Sequence, residues 1–237
     1  MLGSLEKAIE LQETARSFRK KGDALRKAGR AEEAAVEAYR SGLAALNEAL
    51  ELLKVKDEML RTASPPVPSD AALDLHELIE IYGSLGGMHQ RLGALAESLA
   101  NYAKGAVLEG KFGLASTYNR LNAVKYTLLT GPDTLGSLET RIQTLADVIN
   151  TSLRNDKSLS DRGWAWADLG DCLALLGRTD EAGRAYATFI AKAEIKSPER
   201  TLDVLKEIAS KLQSKGDPDA SRLTTAIDVL KARLVAR

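Results

Sequence analysis

Large side chains and reactive ones are both scarce in the 237 residues. There are two Trp, three Phe and six Tyr, so aromatics make up only 5% of the chain. A single cysteine, Cys172, excludes an internal disulfide framework and fits a reducing compartment. Two histidines, His76 and His89, thirteen residues apart and without a Cys or His companion at ligand spacing, give no metal set. No charge of either sign prevails, with 33 basic against 33 acidic residues, so no global field favours nucleic acid or an anionic membrane. Apolar runs fall well short of the ~20 residues a membrane span needs. Met1-Leu-Gly-Ser leads into a charged amphipathic pattern rather than a secretory hydrophobic segment. The expectation is a soluble, cytoplasmic protein.

What remains is Ala, Leu, Glu, Lys and Arg, a helical composition, and no strand-like alternation competes with it. The most ordered pattern lies between Trp164 and Tyr186. Trp166, Leu169, Gly170, Leu173, Gly177, Ala182 and Tyr186 fall at offsets 0, 3, 4, 7, 11, 16 and 20. Each has a physical task in two short helices meeting at a turn. Large side chains fill the space between the helices, Gly170 and Ala182 permit close approach, and Gly177 supplies the positive φ that ends the first helix. Tyr82, Leu85, Gly86, His89, Gly93, Ser98 and Tyr102 repeat the same offsets. Phe18, Gly22, Leu25 and Gly29 repeat the first half; Ala34 then fits at offset 16 and Tyr39 arrives one residue late. Tyr118, Leu121 and Asn122 open a further copy, and a degenerate pair follows Ser197-Pro-Glu-Arg, with Leu205 as its anchor.

These spacings resemble the tetratricopeptide repeat (TPR). The anchors Phe18, Tyr82, Tyr118, Trp166 and Leu205 are 64, 36, 48 and 39 residues apart, so the array is irregular. The fold expected is all-α, a right-handed superhelical solenoid of about ten antiparallel helices, with the last pair as a cap. Residues 1–61 read as a long helical hairpin with an uninterrupted helix from about 31 to 61. Residues 62–72, with three prolines in Pro65-Pro-Val-Pro68, read as a loop or linker, and 73–237 as the remaining solenoid. The first hairpin also resembles a microtubule-interacting-and-transport bundle, through Ala-Glu-Glu-Ala-Ala-Val-Glu-Ala-Tyr39-Arg. The Tyr118-Asn-Arg-Leu-Asn-Ala-Val and Trp164-Ala-Trp-Ala-Asp-Leu segments resemble the repeat region of stress-signalling kinase kinases and bacterial signalling or defence proteins.

The TPR resemblance implies a protein-interaction scaffold with no catalytic residues and no cofactor, and nothing in the sequence opposes that. Cys172 has no His near it in sequence, and Gly83-Ser-Leu-Gly-Gly lacks both phosphate-loop patterns. His89 occupies a packing position. The runs Arg16-Ser-Phe-Arg-Lys-Lys and Arg26-Lys-Ala-Gly-Arg read as a solvated face balanced by nearby glutamates. The groove expected is lined by the first helix of each pair. Its members would be Arg19, Asp23 and Arg26, then Gln90 and Arg91, then Asn119 and Tyr126. Trp164, Asp171 and Lys206 would complete it. A TPR subgroup clamps a chaperone's C-terminal carboxylate; here Arg19 fits, but Asp23, Ser84, Asn119 and Ala123 stand where its Asn and basic residues belong. The partner expected is another protein or peptide, not nucleic acid or membrane. The second reading is a ligand- or peptide-sensing module that controls a separate effector.

Overall fold

In a computed structural model that describes residues 2–29, 32–114, 116–161, 163–192 and 198–235, the described residues form helices, turns and loops and no strand. The chain divides into two compact units, Met1–Leu114 and Ala115–Arg237.

Unit 1 contains α1 (Leu2–Lys27), α2 (Glu32–Leu52), α3 (Lys54–Thr62), α4 (Ala72–Arg91) and α5 (Leu95–Lys111). The helix expected over 31–61 is therefore two helices (Ala31 itself lies outside the described residues). They break at Leu53, whose backbone (φ −102°, ψ 7°) donates its N–H to Leu50 at 3.1 Å in a tightened last turn. No Gly or Pro marks the break, and the Leu53 side chain is buried. After α3 the prolines deny the chain helical hydrogen bonds, and a short 3₁₀ turn, Ser69–Ala71, leads into α4. Polar links fasten α3 to α4 across this stretch: the Tyr82 hydroxyl donates to Asp57 at 2.6 Å and Lys56 pairs with Asp74 at 3.2 Å.

The pairs α1/α2 and α4/α5 are antiparallel hairpins, and α4 packs against both α1 and α2. A tyrosine of the second helix lies flat on a glycine of the first. A Cβ on Gly86 would sit 2.7 Å from the Tyr102 ring, and one on Gly22 would enter the Tyr39 ring. Ala35 is buried at the start of α2, whereas Ala34 is exposed. Together with the late Tyr39 this shows one residue inserted at the turn, which shifts the whole second helix.

Unit 2 contains α6 (Tyr118–Thr130), α7 (Leu135–Asn155), the one-turn α8 (Lys157–Ser160), α9 (Gly163–Leu175), α10 (Thr179–Lys192), α11 (Pro198–Ser214) and α12 (Ala220–Val235). Twelve α-helices are thus described where about ten were expected, the two extra being the short α3 and α8. The α9/α10 hairpin follows the repeat pattern closely. Gly177 has φ +71°, and a Cβ on Gly170 would enter the Tyr186 ring. The expected N-cap Ser197 lies outside the described residues.

The last pair departs from a simple continuation of the stack. Helix α12 packs on α9 and α10, but α11 packs on α6 as well as α9. The α11–α12 turn holds this position through two charged side chains. Lys215 Nζ donates to the carbonyls of Leu128 and Gly131, each at 2.6 Å, at the C-terminal end of α6. Asp217 accepts from the backbone N–H of Leu135, the first residue of α7, at 2.8 Å. A cation on a helix C-terminus and a carboxylate on a helix N-terminus match both dipoles. As a result α6 is buried nearly all round, with Asn119, Leu121, Val124, Lys125, Tyr126 and Leu128 all inside.

Candidate binding cleft

The expected groove residues fall into two groups by their surroundings. In unit 1, Asp23, Arg26 and Arg91 come together. Arg91 grips Asp23 with two nitrogens, at 2.9 and 3.3 Å, and the Tyr39 hydroxyl donates to the same carboxylate at 3.0 Å. Arg26 donates to the Arg91 carbonyl at 3.1 Å, lies over the Tyr39 ring and pairs with Glu32. Gln90 and Arg19 are half-buried nearby, Arg19 beside a recess with Arg16, Ser84 and Met88.

In unit 2 the expectation fails for three residues. Asn119, Tyr126 and Asp171 are interior, at 0, 2 and 2% exposure, because α11 covers the face of α6 and α9 on which they were expected to meet a partner. Lys206 is exposed on α11 and pairs with Asp203. Trp164 is 58% exposed, its ring 5.6 Å from that of Phe189. Tyr118, expected in a core position, is instead 46% exposed, so the repeat register does not hold in α6.

Asp171 belongs to a buried polar set. One carboxylate oxygen pairs with Lys125, and the other accepts from the Tyr186 hydroxyl at 2.9 Å. Burial alone would discharge Lys125, but Asp171 and Asp168 outweigh it and raise its pKa. Burial also raises Tyr186 and Cys172, helped by Asp171, so the Cys172 side chain is an inaccessible thiol rather than a nucleophile. The same arrangement stands in unit 1: Gly22-Asp23 facing Tyr39 with Arg91 from a neighbouring helix matches Gly170-Asp171 facing Tyr186 with Lys125. A glycine, then a carboxylate bonded to the tyrosine lying on that glycine, is a packing device that both units use.

A recess in unit 2 lies elsewhere. It is a cleft of about 200 Å³ with α9 as its floor and α7 and α10 as its walls. The floor is Trp166, Leu169 and Leu173; Ala146, Asp147 and Asn150 form one wall, and Arg178 with residues of α10 from Glu181 to Thr188 forms the other. The repeat pattern assigns Trp166 to the core, yet it is only half-buried. Its indole N–H is committed to the Ser160 carbonyl at 2.9 Å, so the ring's apolar surface is what the cleft receives.

One end of the cleft is wired shut by hydrogen bonds. Arg178 forks onto Glu181 at 2.7 and 2.6 Å and reaches Gln143 at 3.5 Å, and Gln143 donates to Asp147 at 2.8 Å. The Arg178 bond holds the Glu181 carboxyl below the usual range. Toward the other end, Arg184 is exposed, and its guanidinium makes no hydrogen bond or ion pair among the described residues. The half-buried Asn150 amide is likewise unengaged. The sequence offered a weak sign of this site: Arg178 just before a second helix and Glu181, Arg184 and Thr188 on it form a polar stripe, whereas the expected groove is lined by first helices only. Among the described residues no group of His, Cys, Asp and Glu side chains is placed to hold a metal ion, and no helix is long and apolar enough to cross a membrane.

No protein-family model and no curated protein sequence matches the chain. Among solved structures it is similar to YrrB, described as a TPR protein with an unusual peptide-binding site, at 16% identity and a TM-score of 0.35, over 98% of this chain and 95% of that one. Likeness at this level transfers no residue and no role.

Proposed function

We propose that the protein is a non-catalytic interaction module and that unit 2 binds a segment of a partner protein in the Trp166 cleft. The observation that carries this reading is the combination of size and lining. A cleft of about 200 Å³ lies below the ~300–1,000 Å³ range of small-molecule pockets, but it suits one large side chain of a peptide. That size favours a protein partner over the alternative of a small-ligand sensor. The lining supplies an aromatic floor, two leucines and a polar rim, the anatomy of a peptide anchor site. In unit 1 the cluster of Asp23, Arg26 and Arg91 is mutually satisfied, and so is better suited to holding α1 against α4 than to capturing a ligand.

The test is selection of a random 12-residue peptide library on the full chain, followed by affinity measurement with the selected peptides. Thr188 is half-buried on the cleft wall, so Thr188→Trp fills the cleft without entering the core. Selected peptides are expected to lose at least tenfold in affinity for that variant. Equal affinity for both proteins would remove the cleft from the account.

A further inference from the structure

Resting on that reading, we infer that Asn150 clamps the backbone of an extended peptide, at the same residue whose apolar side chain is seated on Trp166. The charges of the lining cancel, with Arg178 and Arg184 against Asp147 and Glu181, so the cleft selects neither an acidic nor a basic segment. Recognition then falls to the apolar floor and to the uncharged hydrogen-bonding groups that are open beside it.

Most polar groups of the lining are already engaged. The Glu181 carboxylate is taken by the Arg178 fork. Asp147 accepts from Gln143 at 2.8 Å, and the Thr188 hydroxyl donates to the Arg184 carbonyl of its own helix at 3.1 Å. Asn150 differs from these. Its amide is half-buried, makes no hydrogen bond among the described residues, and carries both N–H donors and a carbonyl acceptor. Beside an apolar floor, such a group is best satisfied by a partner that brings a donor and an acceptor together. The backbone of a peptide residue is such a partner.

The floor-and-wall layout suits an extended chain. In that conformation the N–H and C=O of one residue point to the same side, while its side chain stands perpendicular to them. A residue that drops its side chain onto the α9 floor therefore turns its N–H and C=O toward one wall. On the α7 wall they meet Asn150, whose carbonyl accepts from the peptide N–H and whose own N–H donates to the peptide C=O. The α10 wall holds no side-chain amide to take that pair. Alternation sends the two flanking side chains away from the floor, so a cleft of about 200 Å³ has only one to hold.

The probes are the peptides selected from the random library on the full chain. Alanine scanning of a selected peptide identifies its apolar anchor. The anchor is then replaced by the matching α-hydroxy acid, which exchanges its N–H for an ester oxygen and keeps its side chain. The ester should weaken binding to the wild type about five- to tenfold, the loss of one hydrogen bond. Asn150→Leu, close in volume to the native residue, should lose about tenfold or more for the parent peptide and respond to the ester by less than about twofold. Asn150→Ala should behave alike, and circular dichroism with the urea midpoint shows that each variant is folded. The ester measurement on the wild type depends on neither variant. In peptides still blocked by Thr188→Trp, an ester without effect on the wild type, or with the same effect on the wild type and the Asn150 variants, would keep the cleft and overturn the backbone clamp. Peptides indifferent to Thr188→Trp, or no enrichment at all on the wild type, would overturn both.

Discussion

Replacing Asp171 by Asn tests whether the buried set at the centre of unit 2 is as tightly interdependent as its geometry requires. In the native chain both oxygens of Asp171 are used, one by Lys125 and one by the Tyr186 hydroxyl. The amide of Asn can still accept from Tyr186, but it leaves the Lys125 ammonium buried without its anion. Removing one partner of a buried pair costs about 3–5 kcal/mol, and Asp168, which also raises Lys125, holds the loss toward the lower end. With a urea m-value of about 1.5 kcal/mol/M for a unit of this size, the unfolding midpoint should fall by about 2–3 M. Both tryptophans, Trp164 and Trp166, lie in unit 2, so tryptophan fluorescence reports this unit specifically. The triple variant Lys125→Met/Asp171→Leu/Tyr186→Phe removes every polar group together and should recover most of the loss, since an apolar set of similar volume needs no desolvation of charge. A loss below ~1 kcal/mol in the single variant, or a triple variant as unstable as the single, would refute the reasoning.

Further outcomes follow from other parts of the fold. Gly170→Ala places a methyl group in the Tyr186 ring and should destabilise unit 2 by about 1–3 kcal/mol, against the usual gain of Gly→Ala in a helix; Tyr186→Leu in the same chain should restore most of it, measured by urea unfolding. Lys215→Met leaves the Leu128 and Gly131 carbonyls without their charged donor and should cost about 1.5–3 kcal/mol by the same measurement. Tyr82, pushed up to about 12 chiefly by burial and then by its bond to Asp57, ionises more readily when unfolded. Its folded-state pKa is raised, so its contribution is complete below about pH 10 and is lost as pH rises from 10 to about 12; Tyr82→Phe should flatten that part of the stability profile followed by circular dichroism. Cys172 should react with a thiol reagent only as fast as unit 2 opens, and burst labelling of the native chain would contradict its burial.

Local hairpin chemistry was legible in the sequence because it depends on close neighbours. Gly170 with Tyr186, Gly86 with Tyr102, and the Gly177 turn all follow from spacings within about 20 residues. The break at Leu53 was not legible, since no helix-breaking residue marks it. Nor was the fate of the groove residues in unit 2. Whether Asn119, Tyr126 and Asp171 face solvent depends on where α11 comes to rest, and that is set by Lys215 and Asp217, more than 80 residues along the chain from the carbonyls and the N–H they hold. The cleft was missed for a related reason. Trp166 satisfies the repeat pattern whether its outer face is covered or open, so only the packing of α7 and α10 around it reveals an exposed anchor site.

The two indole N–H signals in a ¹H–¹⁵N correlation spectrum test the central claim most directly, because Trp164 and Trp166 lie two residues apart on different faces of α9. Titration with a selected peptide should move the Trp166 signal, whose ring floors the cleft, and leave that of Trp164, packed near Phe189, in place. Binding that moves Trp164 alone, or that leaves both signals unmoved, would contradict the assignment of the cleft as the site where a partner is held.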